Sequence, residues 1–490
     1  MLSSWKTCCA RIPQRWLFAV MGCLATTLIF SMRNCLSTAI TEMVITATSS
    51  SNSTTSDDTC PSTESTSSTT SSSSGIYEWD EYTQGLILSS FFWGQVITPI
   101  PGGILADKYG GKQILGFCIL TISIFSLLTP VVVQTFDATG LMVLRVLMGL
   151  CSGIFFPALN SLISQWAPPQ EISKIDALVL SGIQIGTVLG SALSGFLIGY
   201  SSIGWPIVFY VFGAIGLLFY PFWILLCYDK PDTHPFISEK EQNYLDVSTS
   251  DQRHKRTIQV PWRHILTSRS VWALLFGRVG YSWGLYTMVT NLPKYMKSIL
   301  KFSIQTNGLL TAFPYVILFF VSNGTAWLAD WLIKAGKLSC KNMRKIFMTI
   351  ASVAAAVFMI AASYAGCDRV LVVVCFTAGI GVMGLFYPSV IVNQLDLAPN
   401  YCGSIVALAD TVTSLLAILA PYMVGVLTPN QTLPEWRIIF WITFALYVVS
   451  VTMYNIWADG EVQYWNDPDF RDNPIHKKKM RVNPNVSASG

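Results

Sequence analysis

The chain has 490 residues and a formal net charge of only +4; 52% of its residues are hydrophobic, 12% are charged and the mean hydropathy is +0.49. Soluble domains carry about a quarter charged residues, so too few charges are present to cover a soluble surface of this size. The same numbers exclude a disordered chain and a disulfide-stapled secreted domain, which leaves a polytopic membrane protein.

Apolar runs of about 20 residues, the length that spans a bilayer, follow one another at roughly 16–45, 83–106, 113–133, 139–163, 177–199 and 205–227. After a polar stretch they resume at roughly 270–292, 307–331, 345–365, 370–393, 403–428 and 436–458. The prediction is an all-α membrane protein with about twelve transmembrane helices in two six-helix pseudo-repeats. Its parts are a cytosolic N-terminus (1–15), a first bundle (16–227), a cytosolic central loop (228–269), a second bundle (270–458) and a cytosolic tail (459–490). The first run is too long for a cleaved signal peptide and carries Arg33.

Lys and Arg set the orientation. Lys6, Arg11 and Arg15, the pair Lys108 and Lys112, five Arg or Lys residues at 253–269, five at 334–345, and Lys477, Lys478, Lys479 and Arg481 all fall on one side if the count is twelve. Both termini are then cytosolic. Lys294, Lys297 and Lys301 oppose this bias. Two glycosylation acceptors, Asn52 and Asn430, map outside under the same topology, while the matches at Asn323 and Asn485 fall in a helix and in the tail. The Ser/Thr tract 46–75 is too polar to fold and is expected to be a disordered external loop. Cys60 lies in it and Cys367 in another external loop; a disulfide is one reading, and two free thiols are the favoured one. Cys8 and Cys9 are candidate lipidation sites.

After the second run the chain reads Gly103-Ile-Leu-Ala-Asp107-Lys108-Tyr-Gly110-Gly111-Lys112, and after the eighth Gly324-Thr-Ala-Trp-Leu-Ala-Asp330 followed by basic residues. Glycine permits close helix approach, and the aspartate suits a helix N-terminus. The pair of loops is read as a gating latch. Gly182, Gly186 and Gly190 repeat every four residues in the fifth run and are read as a helix-packing stripe rather than a phosphate loop.

Arg33, Arg145, Arg278 and Asp410 fall near mid-span of runs 1, 4, 7 and 11. A charge there costs at least ~2.5–3.5 kcal/mol on insertion scales. Three cations against one carboxylate leave an excess that an incoming anion would relieve. Arginine's planar fork favours carboxylate or phosphate. For each arginine the alternative is a structural role on carbonyls or a carboxylate, and Asp410 either pairs with an arginine or serves ion coupling. The four histidines lack metal-ligand spacing and no Walker A sequence is present. No catalytic residue, metal site, cofactor, nucleic-acid partner or obligate protein partner is therefore expected.

The first loop matches the motif G-x-x-x-D-[RK]-x-G-x-[RK] at every position and resembles the major facilitator superfamily, which implies two bundles rocking about a central site. Further runs resemble the anion:cation symporter family that includes sialin, vesicular glutamate transporters and type I sodium–phosphate cotransporters: Ser90-Phe-Phe-Trp-Gly, Ile100-Pro-Gly-Gly, Trp166-Ala-Pro-Pro, Leu292-Pro-Lys-Tyr-Met, Leu395-Asp-Leu-Ala-Pro and Gly460-Glu-Val-Gln. The likeness is greatest to the sialin and invertebrate phosphate-cotransporter branch. It implies substrate contacts at Arg33, Arg145, Arg278 and Tyr281. Departures are Cys35 for an asparagine, Met148 and Ser152 for the helix 4 carboxylates of proton coupling, Tyr281 for the helix 7 arginine of glutamate transporters, and Asp410 where relatives tend to carry Asn. The expected function is cation-coupled transport, with sodium or a proton, of small organic or inorganic anions across the plasma membrane or an endolysosomal or vesicle membrane. The alternatives are an uncoupled, voltage-driven facilitator and a non-transporting anion sensor.

Overall fold

A computed structural model describes residues 13–45, 76–168, 171–235, 237–245, 260–398 and 401–467. The tract 46–75 with Asn52 and Cys60, the Cys8–Cys9 pair, the tail lysines and the side chain of Asp107 lie outside the described residues.

We number the spans in chain order. The first bundle holds α1 (Gln14–Met43), α2 (Glu81–Ile97 continued by Pro99–Tyr109), α3 and α4 (the two limbs of Gly111–Trp166), α5 (Ile172–Tyr200) and α6 (Pro206–Leu226). The second holds α7 (Arg269–Ser298), α8 (Ile304–Lys334), α9 (Cys340–Tyr364), α10 (Arg369–Val382, running on to Leu397), α11 (Cys402–Leu427) and α12 (Leu433–Trp457). Among the described residues nine helices are long and apolar enough to cross a membrane. One of the nine, Gly111–Trp166, has 56 residues, about 84 Å at 1.5 Å per residue, which is two crossings. It turns at Asp137, whose φ of 51° is non-helical and whose carboxylate accepts the Trp79 indole N–H at 2.7 Å. Helix α2 breaks at Thr98, where Pro99 and Pro101 remove helix donors. Helix α7 is less apolar than its neighbours: it is rich in Gly, Ser, Tyr and Trp and carries Arg278, Lys294 and Lys297.

Each bundle buries its own apolar core, with Phe155, Phe209 and Trp223 in the first and Phe376, Phe386 and Trp436 in the second. The bundles meet chiefly through α1 on α7, α2 on α11 and α5 on α8. Two of these crossings are glycine on glycine. A Cβ on Gly85 would lie 2.8 Å from the Pro421 carbonyl, and one on Gly425 2.7 Å from that of Glu81. A Cβ on Gly195 would lie 2.8 Å from the Ile304 carbonyl, and one on Gly308 2.8 Å from that of Ser191. Gly85 and Gly308 are each the fifth residue of their helices, and Gly195 and Gly425 each the twenty-fourth. The crossings are therefore counterparts in the two repeats, and both lie at the end away from the N-terminal Gln14, here called the distal face.

Among the described residues every ion pair that joins the bundles also lies at the distal face. Lys294 on α7 pairs with Glu81 on α2, and Glu81 accepts Gln431 at 3.1 Å as well. Lys297 pairs with Glu42 on α1 at 2.8 Å and donates to the Thr41 carbonyl. Two of the three lysines that violated the charge bias thus close the distal face. The third, Lys301, has its ammonium pKa lowered by burial and by neighbouring Lys297.

The latch differs in detail from the expectation. The N-terminus of α3 is capped by Asp229, which accepts the Lys112 backbone N–H at 2.8 Å. A Cβ on Gly110, at φ 90°, would lie 2.8 Å from the Asp229 carboxylate, and one on Gly111 2.7 Å from Leu162. A Cβ on Gly103 would make only ordinary contact with Pro157, whereas one on Gly102, the close approach, would lie 2.8 Å from the Ile154 backbone. In the second copy Gly324 faces open space and Asp330 is exposed. Lys108 is exposed with its ammonium over Tyr109. At the same end Arg344 binds Asp396 at 2.9 Å.

Cys367 is disulfide-bonded, which overturns the reading of it as a free thiol. Eight other cysteines are free, so its partner lies outside the described residues.

Candidate anion site

Helix α1 is positioned from two sides. On one, the stripe of α5 lets it seat closely: Cβ atoms on Gly182, Gly186 and Gly190 would lie 2.4, 2.5 and 3.1 Å from the carbonyls of Cys23, Thr27 and Ser31. Asn34 and Thr187 join the same two helices at 3.0 Å. On the other side, the Arg145 guanidinium of α4 donates to the carbonyls of Arg33 at 2.8 Å and Met32 at 3.5 Å.

Between these supports Arg33 is 7% exposed. Its guanidinium carbon lies 5.1 Å from the ring centre of Phe30, 5.4 Å from Phe91, 4.6 Å from Phe92 and 5.5 Å from Tyr286. Among the described residues that guanidinium makes no hydrogen bond and no ion pair. Cation–π contacts each return about 0.5–2 kcal/mol, which does not replace hydration of a buried charge. Arg33 and Arg145 share a small cavity with Asn34, Ser37, Leu88, Phe91, Phe92, Val289 and Thr290. Its open space of about 20 Å³ admits about one water molecule, so the conformation is tightly closed around the cation. Tyr286, Val289 and Thr290 come from α7, and the cavity is a joint product of both bundles.

The other predicted residues lie elsewhere. Arg278 on α7 pairs with Asp410 on α11 at 3.1 Å, the arginine 11% and the aspartate 52% exposed. Ser282 and Thr413 meet at 3.2 Å, about one turn along the same two helices. Arg278 is nine residues from the start of α7, and Asp410 eight from that of α11, about 12–14 Å in. Arg33 is ten residues from the distal end of α1, about 15 Å. The charges therefore form two tiers rather than one cluster. Tyr281 is buried, stacks on Phe386 at 3.8 Å and donates to the Tyr387 hydroxyl at 3.4 Å. Tyr387 in turn accepts the Gln184 amide of the first bundle at 3.0 Å. Tyr387 opens a π-helical segment of α10, Tyr387–Ile391, a distortion frequent at functional sites. Neither Arg278 nor Tyr281 lines the Arg33 cavity in this conformation. Met148 and Ser152 are buried in α4 and bring no carboxylate to it.

Sequence reasoning missed Glu42, Glu81 and Gln431. The signal was available: lysines on the disfavoured side call for acidic partners. It also missed Phe30 and Tyr286 as walls of the Arg33 cage, since aromatic residues in an apolar run look like ordinary core.

Asn430 is exposed at the distal face, with its side-chain amide on Glu435 at 3.0 Å.

The Major Facilitator Superfamily model matches residues 22–421. Human sialin is 37% identical over 460 residues, covering 94% of this chain and 91% of sialin. A Drosophila melanogaster protein named "Putative inorganic phosphate cotransporter" is 36% identical over 421 residues, covering 85% and 80%. Vesicular glutamate transporter 1 of Xenopus laevis is 31% identical over 465 residues, covering 94% and 77%. Among solved structures, a bacterial homologue of the human lysosomal transporter Spinster superposes with TM-score 0.68 at 14% identity, covering 91% of this chain and 97% of that one. A D-xylose–proton symporter gives 0.66 at 13%, with the same coverage. Twelve spans in two repeats among the described residues, a latch motif between α2 and α3 and these relatives agree: the chain belongs to the Major Facilitator Superfamily, beside sialin, the vesicular glutamate transporters and the phosphate cotransporter relatives, and it is a membrane transporter, not an enzyme.

Proposed function

We propose that the chain is a secondary active transporter of small organic or inorganic anions that works by alternating access, with Arg33 as the anion's contact. The observation that carries this reading is the buried Arg33 guanidinium, ringed by four aromatic faces and without a hydrogen-bonding or anionic partner among the described residues. A cation so placed is costly unless a mobile anion completes it. The relatives' names span an inorganic phosphate and an amino acid, and the anion class common to them suits a guanidinium fork.

The charge bias makes the face bearing the termini cytosolic. Exposed Asn430 at the distal face fits an external acceptor. With the distal face sealed by glycine crossings and ion pairs, the conformation is closed to the outside. The membrane is the plasma membrane or that of an endolysosome or vesicle.

We assign coupling to a cotransported sodium ion or proton, with Asp410 as its site. The pair with Arg278 is reached by solvent on the aspartate side, so a cation can displace the arginine. A second reading, an uncoupled voltage-driven facilitator, draws on the same pair: an Asp410 permanently held by Arg278 has no carboxylate to offer a cotransported cation. Moving one charge is worth ~2.3 kcal/mol per 100 mV, so an uncoupled monovalent anion would simply follow the potential. The deciding experiment is uptake of labelled phosphate, L-glutamate and N-acetylneuraminate into proteoliposomes under separate sodium, proton and voltage gradients. Saturable uptake driven by sodium or proton gradients at zero voltage supports the coupled carrier. Uptake that follows voltage alone supports the facilitator, and no uptake of any anion refutes both.

A further inference from the structure

We infer that Arg145 is a positioning residue: it clamps α1 by its backbone and so aims Arg33, which alone presents its hydrogen-bonding fork to the anion. The inference rests on the reading of Arg33 as the anion contact, and it divides labour between two arginines that charge counting treats alike.

The geometry separates them. Arg145 is 3% exposed. Both of its terminal nitrogens are directed at α1, Nη2 to the Arg33 carbonyl at 2.8 Å and Nη1 to the Met32 carbonyl at 3.5 Å. Its remaining nitrogen, Nε, is buried with no partner in the structure, and the guanidinium carbon lies 5.1 Å from the Phe91 ring centre. The end-on edge, Nη1 with Nη2, is therefore taken by two successive carbonyls, which leaves only the side-on edge at the buried Nε. A carbonyl has two lone pairs, so these bonds are made in addition to the helical ones that Leu36 and Ser37 supply within α1. The carbonyl dipoles offset the buried charge, and the bonds fix the rotation of α1 at the level of Arg33.

Arg33 has the opposite environment. Four ring faces surround its guanidinium, and the polar side chains nearby direct their donors elsewhere, Asn34 to Thr187, Ser37 to the Asn34 carbonyl and Thr290 to the Tyr286 carbonyl, with none of them bonded to Arg33 in this conformation. Arg145 still adds positive potential to the cavity that both residues line. It acts on the anion through charge and through α1, not through contact.

The test compares Arg33→Lys, Arg33→Gln, Arg145→Lys and Arg145→Gln by two readouts. The first needs no substrate: hydrogen–deuterium exchange of the α1 amides of Leu36 and Ser37 in purified protein. Arg145→Gln is expected to raise their exchange, Arg145→Lys to restore protection, and Arg33→Gln to leave it near wild type. The second is the KM and maximal rate for labelled phosphate, L-glutamate and N-acetylneuraminate in proteoliposomes. Arg33→Lys loses the fork and is expected to raise KM about tenfold or more. Arg145→Gln should raise KM, and Arg145→Lys should bring it back to within about threefold, because charge and a carbonyl bond are kept. Unchanged α1 exchange in Arg145→Gln overturns the inference. So does a KM increase in Arg145→Lys equal to that in Arg33→Lys. A normal KM in Arg33→Lys together with the expected α1 exchange would instead keep the clamp and reject Arg33 as the contact. If none of the three anions is carried, the exchange readout alone decides.

Discussion

Replacing Gly308 by alanine places a methyl group 2.8 Å from both the Gly195 Cα and the Ser191 carbonyl, where ordinary contact is 3.4–4 Å. Helices α5 and α8 must part by about 0.6–1.2 Å, the difference between those distances, or the new Cβ is strained. Overpacking of this kind costs about 1–3 kcal/mol. The cost falls on the conformation in which the distal face is closed, since opening that face removes the clash. At 1.4 kcal/mol per factor of ten, the balance shifts about 5- to 150-fold toward the open distal face. The assay is the rate at which a membrane-impermeant thiol reagent, added from the distal side, labels a cysteine placed at Thr290 in a background without other reactive thiols. Thr290 lines the Arg33 cavity and is 7% exposed. Labelling should rise at least about fivefold in Gly308→Ala and similarly in its counterpart Gly85→Ala. Gly324→Ala is the control, because nothing lies within 4 Å of a Cβ there. Equal labelling in Gly308→Ala and Gly324→Ala would refute the assignment of the glycine crossings as the distal seal.

Glu81→Gln leaves Lys294 buried beside a neutral amide, the side chains being 10% and 18% exposed; it should cost about 3 kcal/mol, seen as a lower unfolding temperature, and Lys294→Met in the same chain should restore most of it. Asp410→Asn should abolish accumulation driven by an ion gradient while sparing anion exchange; retained gradient-driven accumulation would reject Asp410 as the coupling site. Gly186→Leu drives a side chain into the Thr27 carbonyl, 2.5 Å from the Cβ position, and should sharply reduce folded protein on size-exclusion chromatography, with Gly324→Leu tolerated. Peptide mapping of unreduced protein should recover Cys367 cross-linked to Cys60; Cys60 recovered as a free thiol would contradict that pairing.

The spans were legible because each apolar run is long enough to cross and ends in polar or basic residues; observed boundaries lie within six residues of those read from hydropathy, the widest gap being at the end of α7. The α5 stripe was legible too, since a four-residue glycine repeat in a spanning helix has few readings other than packing. The distal seal was not, because Lys294 and Glu81 are 213 residues apart and pairing between bundles leaves no local pattern. Neither was the orientation of Arg145, since its partners are backbone carbonyls and every residue has one. The pairing of Asp410 with an arginine was one of two stated alternatives; only geometry selects Arg278. Asp229 could not be identified as the cap of α3 from the motif, which carries its own aspartate and draws attention to Asp107.

The central claim is that a substrate anion completes the charge of Arg33. A cryo-electron microscopy map of the protein in lipid nanodiscs with the best-transported anion at saturation tests it most directly. The account predicts density for the anionic group within about 3.2 Å of the Arg33 terminal nitrogens, with the Phe30, Phe91, Phe92 and Tyr286 rings around it and the Arg145 bonds to the carbonyls of Met32 and Arg33 intact. Density for the anion on Arg278 with Arg33 left empty would contradict it.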